Sequence, residues 1–196
     1  MIGPIYYIVV TTILGLLWEG YDPIRQTQSE LGSVGAPHAT VMNVAGFMAL
    51  GAVILAFAIA YATSVRGRAW TWLAVAALAF AGTGMVVVGF FPCDPGCVDV
   101  SRTGELHGTF SMPGAIGLPV AAMLSGPAFR VDGRLGSWWQ VVSFVIGALA
   151  LASGPVVQAE LLPDVDGLLQ RVAMWTPIAW MSAVSLRFLT ISRRTP

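Results

Sequence analysis

Two short segments carry most of the side chains with chemical reach. The first reads Gly20-Tyr21-Asp22-Pro23-Ile24-Arg25-Gln26-Thr27-Gln28-Ser29-Glu30-Leu31-Gly32, followed by Gly35-Ala36-Pro37-His38. The second reads Phe91-Pro92-Cys93-Asp94-Pro95-Gly96-Cys97, followed by Gly104-Glu105-Leu106-His107. Arg25, Gln26 and Glu30 form the densest polar group. An arginine can pair in bidentate fashion with a carboxylate. Arg25 therefore either locks its own loop to Glu30 or Asp94, or recognises an anion beside a carboxylate base. Glu30, Asp94 and His107 are the candidate catalytic groups, for acid–base or metal chemistry. Arg25, Gln26, Glu19, Asp22 and Ser111 are the candidate ligand-binding groups. Glu19 and Glu160 stand at helix ends near the membrane boundary, where a carboxylate can carry protons or simply solvate the helix end.

Cys93 and Cys97 form a C-x3-C turn. The intervening Pro95-Gly96 supports a tight bend that brings two sulfurs within disulfide reach. A structural disulfide is the first reading, and a redox dithiol the second, although thioredoxin-like spacing is C-x-x-C. Zinc is the third: two thiolates with His107 and an acid would fit, but the spacing does not demand it. Any metal would use His107, or His38, and the identity of a cofactor stays open. Bis-histidine haem ligation would require His38 and His107 to face each other. There is no glycine-rich phosphate loop, no H-E-x-x-H and no G-x-S-x-G. Ser111 lies four residues after His107 with no orienting third group in evidence, which disfavours Ser–His catalysis.

These groups sit in a chain of 196 residues that is 56% hydrophobic and 10% charged, with a mean hydropathy of +0.76. Soluble domains carry about 25% charged residues. Twenty charges cannot cover a soluble domain of this size. That excludes a soluble enzyme, a disordered tail and a nucleic-acid binder with a basic face. The expected fold is all-α: a polytopic membrane protein with six transmembrane helices and no soluble domain. A helix needs roughly 20 apolar residues to cross the bilayer core. Uncharged runs predict helices near 2–18, 40–63, 69–91, 107–129, 136–159 and 168–190, in one domain covering 1–196. The last uncharged run is short and needs Arg171 and Arg187 to sit near the interfaces. Pro113, Pro119 and Pro127 in helix four, with Pro155 and Pro177 further on, predict kinks around an outward cavity.

All ten basic residues are arginine. With alternating spans, Arg66, Arg68, Arg130, Arg134, Arg187, Arg193 and Arg194 share one side, and Arg25, Arg102 and Arg171 the other. The positive-inside rule then places both termini of a multi-pass cell-membrane protein in the cytoplasm. The acids, both histidines and both cysteines gather on the outer side, with Asp132 the exception.

Together the two motif segments resemble the uncharacterised prokaryotic membrane family catalogued as domain of unknown function 998. The likeness covers nearly the whole chain. It implies a six-helix integral membrane protein with both motif loops on one face, and it implies no activity. The functional expectation is an outward polar pocket for a lipid-like, isoprenoid-like or small amphiphilic ligand, with turnover left open. The alternatives are a sensor or accessory subunit of a membrane complex, and a haem or quinone redox protein. Expected partners are the lipid bilayer, such a ligand, and another membrane protein or a second copy of the chain; nucleic acid is not expected.

Overall fold

The structure, a computed structural model, describes residues 4–158 and 161–192. Glu160, Arg193 and Arg194 lie outside the described residues. Within them every regular element is helical. The principal helices are α1 (Tyr6–Leu16), α2 (Ala39–Ser64), α3 (Ala69–Val88), α4 (Arg102–Asp132), α5 (Ser137–Gln158) and α6 (Asp166–Ser192). Helices α2 to α6 are long and apolar enough to cross a membrane. Their apolar side chains face outward as well as inward. Ile59 is 71% exposed, Phe80 55% and Phe144 54%, each at least one turn inside its helix. Water would not tolerate such a surface around a bundle, whereas lipid tails solvate it. The chain is a multi-pass helical membrane protein.

Helix α1 differs from the expected run over 2–18. Its 11 residues span about 16 Å, roughly half of a bilayer core. It packs against the start of α2, where Met42–Met48 adopts π-helical turns. The Tyr6 hydroxyl donates to the carbonyl of Gly46 there, at 3.2 Å. Helix α4 starts earlier than the uncharged run suggested, because Ser101 caps it: the Ser101 hydroxyl accepts from the Gly104 amide at 3.1 Å. It then continues as helix through Pro113, Pro119 and Pro127 to Asp132, as α6 does through Pro177.

The core lies where α2, α3, α4 and α6 converge, at Leu50, Ile54, Leu78, Ala81, Leu118, Ala121, Ile178 and Met181. Several polar groups inside it pair across helices or with their own backbone. The Tyr61 hydroxyl donates to Ser125, whose own hydroxyl donates to Ala121 O, each at 2.7 Å. The Trp180 indole donates to Ser143 at 2.9 Å, joining α6 to α5. At the end opposite the motif loops, Arg134 grips Asp132 and donates to Ser64 O, tying the two short turns of that end together.

Candidate functional site

The first motif loop is built onto the start of α6. The free amides of Gly167 and Leu168, which the first turn of a helix leaves without internal partners, donate to Arg25 O and Ile24 O at 3.1 and 2.9 Å. One turn on, Arg171 is 7% exposed. Its guanidinium donates to Pro23 O at 2.6 Å, to Gln26 O at 3.0 Å and to the Tyr21 hydroxyl at 2.7 Å. The loop has no regular ladder of its own, so these backbone carbonyls need such a donor once they leave water. Burial pushes the Tyr21 phenol up from its ordinary value, with the Arg171 contact opposing the shift. Gln170 adds a third attachment: its carbonyl accepts from the Gln28 amide at 2.6 Å, and its amide donates to the Ser29 hydroxyl at 3.2 Å.

Within this loop the polar candidates serve one another. Asp22 accepts from the Ile24 amide at 2.9 Å, and Gln26 from the Asp22 amide at 2.8 Å. Gln26 then donates to Glu30 at 3.0 Å, while Glu30 also accepts from the Thr27 amide at 2.8 Å. Glu30 is thus held by neutral donors. Arg25 pairs instead with Asp164 at 3.3 Å, both side chains being largely exposed. This corrects the expected pairing of Arg25 with Glu30 or Asp94, which accept instead from Gln26 and Thr27 and from the amides of Val100 and Ser101. An exposed pair of this kind contributes little stability. Glu19 is exposed beyond the end of α1.

The second loop is closed by a disulfide between Cys93 and Cys97, with Cα atoms 4.9 Å apart. The Cys97 amide donates to Asp94 O at 2.7 Å. The turn places Gly96 at φ 73° and Cys97 at φ 52°. The left-handed region suits glycine and is uncommon for other residues. Val34 N donates to Cys93 O at 2.9 Å, joining the two motif loops. Asp94 spans the rest of its loop, accepting from the amides of Val100 at 3.0 Å and Ser101 at 2.7 Å. The Ser101 contacts, with that from Val100, hold its carboxyl below the ordinary carboxylate value.

A pH dependence follows. The folded pKa of Asp94 is depressed, so its contribution is present above the ordinary carboxylate range and is lost as pH falls through the folded value. Protection of the Val100 and Ser101 amides from hydrogen exchange, corrected for intrinsic rates, should hold from neutrality down to about pH 4 and fall below it. Asp94→Asn should remove that dependence. An identical profile in the variant would assign the change to another group.

His107 sits in the second turn of α4, 5% exposed. Its Nδ1 faces Phe91 O at 2.7 Å, and its ring lies edge-on to Phe47. The Ser111 hydroxyl donates to His107 O at 2.5 Å, so it serves the helix backbone and not the imidazole. His38 stands just before α2, half-buried.

Two cavities adjoin at His107. The outer basin, about 540 Å³, is lined by Arg25, Glu30, Cys97, Asp99 and Asp166 among others. The inner pocket, about 100 Å³, is lined largely by apolar groups including Tyr7, Phe47, Met85, Val88 and Met174. Ser29, His107, Ser111, Val157 and Gln170 belong to both walls. Of the sequence candidates, Arg25, Glu30, His107 and Ser111 therefore share one basin, with Cys97. Asp94, Gln26, Glu19, Asp22, Cys93 and His38 are not on either wall. Ser29 and Gln170 were not singled out from sequence. Arg171, expected at an interface, is buried instead; a lone charge beside a short apolar run is itself a signal of such a role.

No curated protein and no solved structure matches the chain. A family model does, across residues 1–187. The match spans nearly all of the chain, and the chain belongs to the family described as "Protein of unknown function (DUF998)".

Proposed function

We propose that the motif end binds a lipid-like amphiphile, with its head in the outer basin and its apolar part in the inner pocket. The observation that carries this reading is the shared wall: Ser29, His107, Ser111, Val157 and Gln170 border a polar space on one side and an apolar one on the other. A site of this composition rewards a ligand that is polar at one end only. The charge balance narrows the head group. Glu30, Asp99 and Asp166 line the basin against Arg25, which is engaged by Asp164. A hydroxylated, amide or ammonium head suits that wall better than a phosphate. Should the bound molecule carry a labile bond, His107 and the carboxylates Glu30, Asp99 and Asp166 of the basin are the groups placed to act on it. Residues 1–196 act as one transmembrane domain in this reading.

The test is native mass spectrometry of protein purified in mild detergent. The parent should retain an amphiphile. Ala115→Trp, which fills the inner pocket, should release it, whereas Ile59→Trp on the lipid-facing surface should not. Retention by Ala115→Trp equal to the parent, or no bound amphiphile at all, would overturn the assignment.

The basin faces away from the cytoplasm in this proposal. The support is the distribution of arginine: Arg66, Arg68, Arg130, Arg134 and Arg187 belong to one end, against Arg25, Arg102 and Arg171 at the motif end, and positive charge is retained on the cytoplasmic side. A C-terminal reporter should be active only inside the cell. Activity outside would reverse the orientation while leaving the pocket reading intact.

A further inference from the structure

Beside the amphiphile pocket lies a group of atoms with different chemistry. The sulfurs of Cys93 and Cys97 and a ring nitrogen of His107 all fall within 4.8 Å of one another. Cys93 is 1% and His107 5% exposed, while Cys97 is half-buried on the basin wall. We infer that these three residues form a binding site for a soft divalent metal such as zinc once the Cys93–Cys97 disulfide is opened. The inference does not depend on whether the cavities take an amphiphile.

Three features support it. Tetrahedral zinc with bonds of about 2.3 Å to sulfur and about 2.0 Å to nitrogen sets its ligand atoms roughly 3.3–3.8 Å apart. The histidine therefore has to move inward by about 1.5 Å at most, and the sulfurs only have to part, which opening the disulfide permits. The histidine is also pre-oriented. A carbonyl can only accept, so the Phe91 oxygen at 2.7 Å keeps the proton of neutral His107 on Nδ1 and leaves Nε2 unprotonated, the form in which a ring nitrogen can bind a metal. Backbone carbonyls commonly hold metal-binding histidines in this manner. Lastly, the basin offers a fourth position. Glu30 and Asp99 line it with Cys97 and His107, so a carboxylate or a water can complete the set.

The redox step balances with a dithiol reductant. Its first thiolate attacks Cys97 Sγ, the sulfur on the basin wall, and Cys93 leaves as thiolate. Its second thiol attacks the mixed disulfide and releases Cys97. The reductant closes to its own disulfide, having supplied two electrons and two protons. The metal then takes the two thiolates, and the protons pass to solvent.

The test uses full-length protein in detergent, with cobalt(II) and zinc as probes. After reduction and removal of reductant, cobalt should give thiolate charge-transfer absorption and strong tetrahedral visible bands, saturating at one ion per chain and displaced by zinc. Disulfide-bonded protein should give neither. Zinc should slow alkylation of the reduced cysteines by at least about tenfold, because bound thiolates are poor nucleophiles. His107→Ala should lose the tetrahedral bands, while His107→Cys should keep them with stronger charge transfer. Absence of thiolate–cobalt absorption in the reduced parent, or the parent spectrum in His107→Ala, would overturn the site. Should His107→Ala fail to fold, zinc protection of the parent's cysteines decides, and unprotected thiols reject the proposal.

Discussion

Arg171→Ala is expected to destabilise the protein by about 3–4 kcal/mol, among the largest effects of any single side chain. The guanidinium donates to Pro23 O, Gln26 O and the Tyr21 hydroxyl from a position 7% exposed. Removing it takes the guanidinium donor from part-buried loop carbonyls, and each buried acceptor left unmet costs about 1–3 kcal/mol. It also removes the cation stacked near Tyr21 and Trp175. Arg171→Lys should recover only part of the loss, because one ammonium cannot reach acceptors spread around a planar fork. Denaturant unfolding in a fixed detergent, followed by tryptophan fluorescence, measures both. A loss under about 1 kcal/mol for Arg171→Ala would mean that water replaces the arginine and that the loop is not anchored through it. The anchoring has a functional corollary. The same loop supplies Arg25, Ser29 and Glu30 to the basin, so Arg171→Ala should also release a bound amphiphile, without itself touching the cavity.

Gly84→Leu should be comparably severe, at about 3 kcal/mol or more, for a reason that lies wholly in packing. A Cβ at Gly84 would stand 2.5 Å from the Pro113 Cβ and 3.0 Å from Phe110 O, and one at Gly117 would stand 2.7 Å from Ala77 O. Helices α3 and α4 therefore meet backbone to backbone along a seam of small residues, the arrangement by which membrane helices gain dispersion contacts in the absence of a hydrophobic drive between them. Neither neighbour can yield: Pro113 is rigid and Phe110 O is main chain. Gly136→Ala is the control, since a Cβ there meets nothing within 4 Å, and it should be neutral to within about 0.5 kcal/mol. Thermal aggregation midpoints of the two variants in the same detergent make the comparison. Equal midpoints would show that α3 and α4 can separate without penalty.

Much of the architecture follows from amino-acid type alone. The scarcity of charge and the spacing of uncharged runs dictate a multi-pass helical bundle, because a backbone in hydrocarbon must satisfy its own hydrogen bonds. The Pro-Gly turn between Cys93 and Cys97 brings two sulfurs together by local geometry, so their disulfide was legible from five residues. The gathering of Glu30, His107, Arg25 and Ser111 at one end follows likewise from counting spans. What Arg25 and Arg171 do there depends on partners far away in the chain. Arg25 takes Asp164, and Arg171 takes carbonyls nearly 150 positions earlier. Asp94 and the Ser111 hydroxyl, by contrast, take partners in their own loop and helix. No local pattern encodes the long-range choices, because each is settled by which groups remain unsatisfied when the helices close. Tertiary packing likewise decided that α1 covers only part of the bundle's depth and that a polar basin adjoins an apolar pocket at His107. Both depend on the volume that neighbouring side chains leave unfilled, which is a property of the assembled bundle and not of any one segment.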